Sequence, residues 1–274
     1  MRFWTAGIRR WTLAAALLLV VAGRARAQKA LTVYAAASLT ESFEDIGKLF
    51  EQQHPGTTVL FNFAGSQQLV LQLQQGAAAD VFASADSIWM QVASDSGLLA
   101  GDPVLFAHNR LVVIVPKSNP GRIDRLEDLS RRGVKLVLAA DAVPAGRYSR
   151  QALRNLAQAP GFPVDYVRST LANVVSNEEN VRGVVTKVQV GEADAGIVYR
   201  SDVTDAVGRV VKTIAIPDSM NVLANYPLAV VRGSRLGDLA REFVALVTSP
   251  EGQAVLQRYN FSPAGAAAPA SMNH

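Results

Sequence analysis

Hydroxyl groups recur in this chain where apolar runs give way to amphipathic ones. In LTVYAAASLTESFEDIGKLF, residues 31–50, β-formers lead through three alanines to Ser38-Leu39-Thr40 and then to a helical pattern. FNFAGSQQLVLQLQQG repeats the arrangement around Gly65 and Ser66. Two hydroxyls at the carboxyl ends of two strands of one sheet face a common crevice, the place where open α/β sheets bind ligands. The first junction has no Lys or Arg, so nothing is held there by opposite charge. A helix start leaves N–H groups without internal partners and carries roughly half a positive charge, which suits an oxyanion. Small residues such as Ala37 and Gly65 let backbone come close. Taken alone, Ser38-Leu39-Thr40-Glu41 is also a capping box, in which Ser38 serves only its own helix.

Further along, VKLVLAADAVPAGRYSRQALRNLA reads as a strand, a loop and a helix opening at Pro144, a residue favoured in the first turn. Ala145 beside it can offer only a backbone N–H. NEENVRGVVTKV opens another helix near Val181, and AGIVYRSD ends a strand with Tyr199, whose phenol can donate a hydrogen bond. Each has a plainer reading: Val181 as core, Tyr199 as a packed aromatic. Arg147, Arg182 and Arg200 lie close in sequence to these positions and are expected to form surface ion pairs with Glu178, Glu179 or Asp202.

These junctions must be held by alternating strands and helices. Strand-like runs are LTVYAA (31–36), TVLFNF (58–63), DVFAS (80–84), LVVIVP (111–116), VKLVLA (134–139), AGIVY (195–199) and LAVVRG (228–233). Between them, Phe43, Ile46, Leu49 and Phe50 recur at helical spacing, as do Val181, Val184, Val185 and Val188. The C-terminal stretch 236–261 reads as two helices broken at Ser249-Pro250. The alternation predicts α/β architecture with mostly parallel sheets flanked by helices. Two stretches, 108–121 and 220–233, look like crossings, the second with Tyr226-Pro227 at its start. The expected organisation is a first lobe of 28–108 plus 226–264, a second of 109–225, and a ligand cleft between them.

Residues 1–27 read as a secretory signal peptide: Arg2, Arg9 and Arg10, an apolar run too short for a comfortable span, and ARA at 25–27 before an expected cut ahead of Gln28. The chain has 27 Lys+Arg and 23 Asp+Glu. Five of the arginines and none of the acids lie in 1–27, which leaves 22 bases against 23 acids, a net charge of −1. The basic character belongs to the leader, and a nucleic-acid partner is not expected. With no cysteine there is no disulfide, thiol nucleophile or lipid attachment at the leader boundary. Residues 265–274, the end of a small-residue tail, are expected to be disordered. The three histidines, His54, His108 and His274, are not near Ser38 or Ser66 in the pattern, and no G-x-S-x-G, P-loop or dinucleotide fingerprint occurs. Catalysis and a bound cofactor are not expected.

In order along the chain, AAASLT, FAGSQQL, GAAADVFASAD, DAVPAGRYS, ENVRGVV, GIVYRSD, YPLAVV and RYNF resemble the periplasmic molybdate-binding proteins of ABC importers. The resemblance covers nearly the whole chain after residue 27. It implies a two-lobed periplasmic-binding-protein type II fold that closes on molybdate or tungstate, acting as a monomer in the periplasm and handing its ligand to a membrane permease. It also implies the contacts: Ser38 and Ser66 through hydroxyl and backbone N–H, Ala145 and Val181 through backbone N–H, and Tyr199 through its phenol. These would touch the oxygens of molybdate rather than the metal. Sulfate or another tetrahedral oxyanion in the same fold is the alternative.

Overall fold

The computed structural model describes residues 28–265. The leader expected over 1–27, and all of the expected tail after Gly265, lie outside the described residues. The strands are β1 (Lys29–Ala36), β2 (Thr57–Ala64), β3 (Val81–Ala83), β4 (Val104–Asn109), β5 (Leu111–Pro116), β6 (Leu136–Ala139), β7 (Val174–Glu178), β8 (Ala195–Tyr199), β9 (Val211–Ala215), β10 (Ala224–Val230) and β11 (Ser262–Pro263). The helices are α1 (Thr40–Gln53), α2 (Ser66–Gln74), α3 (Ser87–Asp95), α4 (Pro144–Leu156), α5 (Tyr166–Ala172), α6 (Val181–Gln189), α7 (Asp205–Gly208), α8 (Gly237–Thr248) and α9 (Pro250–Arg258).

Two sheets result. The first has the order β11-β4-β10-β3-β1-β2, the second β7-β6-β8-β5-β9. The interior strands β5, β6 and β8 are buried at every position, as expected of sheets covered on both faces. The α/β architecture is as the alternation predicts, but the sheets are mixed rather than mostly parallel. β1 runs parallel to β2 and β3, and β6 parallel to β7 and β8, each through crossover helices. β10 is antiparallel to β3 and β4, and β5 is antiparallel to β8 and β9. The cause is the crossing between sheets. β4 ends at Asn109 in the first sheet and β5 begins at Leu111 in the second, so the outward crossing is made at Arg110. The return lies between β9 and β10.

Apolar spacing fixes how the helices dock. Phe43, Ile46 and Phe50 of α1 are fully buried against Phe106 of β4 and Phe243 of α8, with ring centroids 5.7 Å (Phe43–Phe106) and 5.4 Å (Phe50–Phe243) apart. Val181, Val184, Val185 and Val188 bury one face of α6. The C-terminal stretch divides as expected: Ser249 caps α9 by accepting from the Gly252 N–H, with Pro250 in its first turn. The strand register steps between Tyr226 and Pro227, where proline has no N–H to give the ladder.

Candidate functional site

The carboxyl ends of β1, β2 and β8, and the segments before α4 and α6, converge on one small cavity of about 10 Å³ between the two sheets' elements. Ser38, Ser66, Ala145, Val181 and Tyr199 all line it, together with small or neutral residues including Ala37, Gly65, Ala85, Pro144 and Asn180. No charged side chain is among the lining residues. Among the described residues there is no group of three or more His, Cys, Asp or Glu that could hold a metal ion.

Ser38 does not cap α1. It sits in a 3₁₀ turn, Ala37–Leu39, and the cap position falls to Leu39, which makes no side-chain cap bond. The Ser38 hydroxyl instead lies 2.9 Å from that of Tyr226. Thr40 and Ser42 donate back to the carbonyls of Ala37 and Leu39. Glu41, the other half of the expected capping box, pairs at 2.6 Å with Arg182.

Ser66 is the first residue of α2. Its Oγ accepts from the Ala85 N–H at 3.0 Å, which leaves the hydroxyl hydrogen free to point elsewhere. Gly65 precedes it because a side chain would have nowhere to go. A Cβ there would come within 2.7 Å of the Glu179 carbonyl on the opposing lobe. Gln68 reaches back to accept from the Gly65 N–H at 3.0 Å.

In the second lobe, Pro144 opens α4 and Ala145 follows it, fully buried. Gly146 lets this turn lie against the end of β6, since a Cβ would come within 2.3 Å of the Ala139 and Ala140 carbonyl oxygens. Val181 opens α6. Its cap, Asn180, accepts from the Arg182 and Gly183 N–H groups at 3.0 and 3.3 Å and so leaves the Val181 N–H uncommitted. Val181 is therefore core by its side chain and available by its backbone. Asn180 also lines the cavity; in the sequence the only signal for it is an Asn ahead of an apolar-periodic run, a helix start.

Tyr199 ends β8 and is 1% exposed. Its hydroxyl has no hydrogen-bond partner among the described residues. Burial raises its phenol well above the ordinary value, with neighbouring Tyr226, Tyr148 and Asp202 adding to the shift, so it stays protonated as a donor. Behind it, Asp202 is buried; one carboxylate oxygen accepts from the Tyr199 N–H at 2.8 Å and the other has no partner. Desolvation, partly offset by that backbone hydrogen bond, pushes the Asp202 carboxyl up to about 7.

The arginines pair with other acids than expected. Arg147 pairs with Asp86, Arg182 with Glu41, and Arg200 lies 4.0 Å from Asp218. Glu178 goes to Lys187 instead, at 2.8 Å. The first two pairs cross from one lobe to the other, as do the bonds from Gln67 Nε2 to the Glu179 carbonyl (2.9 Å) and from the Trp89 indole to the Ala142 carbonyl (2.8 Å). The cleft is thus shut. Arg147 and Arg182 are paired with acids of the other lobe, and the cavity itself is lined by uncharged residues.

A family model described as "Bacterial extracellular solute-binding protein" matches residues 31–262. The "Molybdate-binding protein ModA" of Mycobacterium tuberculosis (strain ATCC 25618 / H37Rv) is 39% identical over 241 residues, 88% of this chain and 87% of that protein. The protein of the same name from Escherichia coli (strain K12) is 33% identical over 257 residues, 90% of this chain and 95% of the relative. Among solved structures, the sulfate-binding protein SubI of Mycobacterium tuberculosis H37Rv superposes with a TM-score of 0.77 over 88% of each chain. At 19% identity, that likeness speaks for the fold alone.

Proposed function

The chain belongs to the bacterial extracellular solute-binding proteins, and from that premise we infer that it captures molybdate for an ABC importer. The observation that carries the reading is the convergence of five uncharged donor positions, drawn from both lobes, on one small cavity without a charged lining residue. Molybdate is a tetrahedral dianion, and taking it from water forfeits a large hydration energy. Preorganised hydrogen bonds must replace that hydration, and each bond to a charged group is worth about 1.5–3 kcal/mol. Ser38 and Ser66 supply hydroxyls and backbone N–H groups, Ala145 and Val181 supply backbone N–H groups, and the Tyr199 phenol, without a hydrogen-bond partner among the described residues, completes the set. The protein binds and releases its ligand without turning it over.

Selectivity follows from fixed donors in a fixed space. Sulfate has the same charge and shape but shorter bonds, so it reaches fewer of the donors. Tungstate matches molybdate in both charge and shape and is accepted as well. In this reading the leader is removed on export, the mature chain works in the periplasm as a monomer, and both lobe rims meet the permease when the cleft is shut. The ligand-bound form is the shut form, because only then do donors from both lobes face one another.

A thermal-shift screen with molybdate, tungstate, sulfate and phosphate tests this directly. Molybdate at a hundred times its dissociation constant should add about 2.7 kcal/mol of stability. Sulfate at the same concentration should do much less. A melting curve unmoved by millimolar molybdate contradicts the reading.

A further inference from the structure

Ser38 has one hydroxyl hydrogen, and it can serve the oxyanion only if Tyr226 does not take it. The two hydroxyls are 2.9 Å apart, and that separation alone permits either to donate. The neighbours decide. The Asn109 side chain is oriented by its Oδ1, which accepts from the Arg110 N–H at 2.9 Å. Its amide nitrogen, which carries two hydrogens and no acceptor, therefore faces inward. It donates to Ser201 Oγ at 2.8 Å and, at 3.5 Å, toward the Tyr226 hydroxyl. Ser201 in turn donates to the Ser38 carbonyl at 3.4 Å. Of the two partners of the Tyr226 hydroxyl among the described residues, the Asn109 nitrogen cannot accept, so the phenolic hydrogen has Ser38 Oγ as its acceptor. The Ser38 hydrogen is then left for the cavity.

We propose that Tyr226 is a positioning residue of the pocket: by donating to Ser38 Oγ in the order Asn109 to Tyr226 to Ser38, it reserves the Ser38 hydrogen for the bound oxyanion. The proposal rests on the reading of the cavity as an oxyanion site. Tyr226 is fully buried and set edge-on against Tyr199, Phe106 and Phe261, at 5.7, 6.3 and 5.2 Å between centroids, so its hydroxyl has little freedom to turn away. The chain of donors also starts where the lobes are joined. Asn109 is the last residue of β4 before the outward crossing, and Tyr226 lies in β10 just after the return. Bonds in such a chain polarise one another, which strengthens the terminal donor. The neighbouring donor Ser66 is oriented separately, by the Ala85 N–H.

A double-mutant cycle read by calorimetry with molybdate tests the proposal. Tyr226→Phe keeps the packed ring and removes the hydroxyl; it should weaken binding by about three- to ten-fold, within the worth of one such hydrogen bond. Ser38→Ala should then cost at least about three-fold less in the Tyr226→Phe background than in the wild type, a coupling expected of groups in contact. Ser66→Ala should cost the same in both backgrounds. Full additivity of Tyr226→Phe with Ser38→Ala overturns the proposal, as does equal coupling to Ser66→Ala, which marks a general loss of packing. If Tyr226→Phe does not fold, Asn109→Asp serves instead. Its carboxylate would accept from Tyr226 and turn the Ser38 hydrogen away from the cavity. Ser38→Ala should then add almost nothing to it, whereas simple charge repulsion predicts the full additional cost. A wild-type protein that binds none of the four oxyanions refutes the site itself, an outcome distinct from an additive cycle in a protein that binds.

Discussion

In the proposed oxyanion site, the two halves of the pocket do the same work with different chemistry. The first lobe brings hydroxyls, Ser38 and Ser66, each with its oxygen already engaged by another group, Tyr226 or the Ala85 N–H. The second brings the backbone N–H groups of Ala145 and Val181 at two helix starts, and a phenol that has no hydrogen-bond partner among the described residues. Side-chain donors can be deleted by a single truncation; backbone donors survive every substitution except proline. The first half should therefore be sensitive to side-chain identity and the second to backbone geometry.

The largest effect is expected where a backbone donor is deleted. Ala145→Pro removes one N–H beside Pro144, in a helical turn where the hydrogen is not needed by the helix itself. It should weaken molybdate binding by about ten-fold or more, on the scale of one charge-assisted bond, while Ala145→Ser, which keeps the N–H, should stay much closer to wild type. Equal affinities in a titration would remove Ala145 from the donor set and break the contrast between the halves. Ser66→Ala comes next, with a loss of at least several-fold; unchanged calorimetric affinity would show that the α2 backbone suffices. Smaller still is Arg182→Ala at the rim. The Arg182–Glu41 pair is partly exposed, so it should contribute little to the shut state. Its loss should shorten the lifetime of the bound complex no more than a few-fold in stopped-flow release, and less at high salt.

Asp202→Asn sharpens the comparison from behind the second half. The Asp202 carboxyl titrates near 3.8 when exposed and at about 7 when folded. Between those values the folded chain holds a proton that the unfolded chain has lost, so stability falls as pH rises from about 4 to about 7 and levels off above. Asp202→Asn should flatten that fall in a series of melting curves and leave affinity nearly unchanged at low pH. A slope identical to wild type would mean that the carboxyl is solvated.

Much of this was legible from local pattern. Apolar runs locate the interior strands other than β4, and small or hydroxyl residues at their ends locate the junctions, because both follow from near neighbours along the chain. What was not legible depends on partners far away. Ser38 reads as a helix cap until Tyr226, on the returning strand, is seen to face its hydroxyl. The sequence pattern pairs Arg147 and Arg182 with acids nearby in the chain, but closure of the cleft brings Asp86 and Glu41 from the other lobe. The strands β7 and β9 carry no apolar run because alternate or consecutive residues face solvent, and β4, which opens exposed and ends in His108-Asn109, and the two-residue β11 carry none either. Mixed pairing was likewise hidden, since strand direction follows from where the chain crosses between sheets.

The central claim is that neutral donors from both lobes enclose a tetrahedral dianion, and a crystal grown with molybdate tests it most directly through molybdenum anomalous scattering. One peak should lie in the cavity between the lobes, with oxygens within hydrogen-bond distance of Ser38, Ser66, Ala145, Val181 and Tyr199. A peak at the rim against Arg147 or Arg182, or none between the lobes at full occupancy, would contradict it.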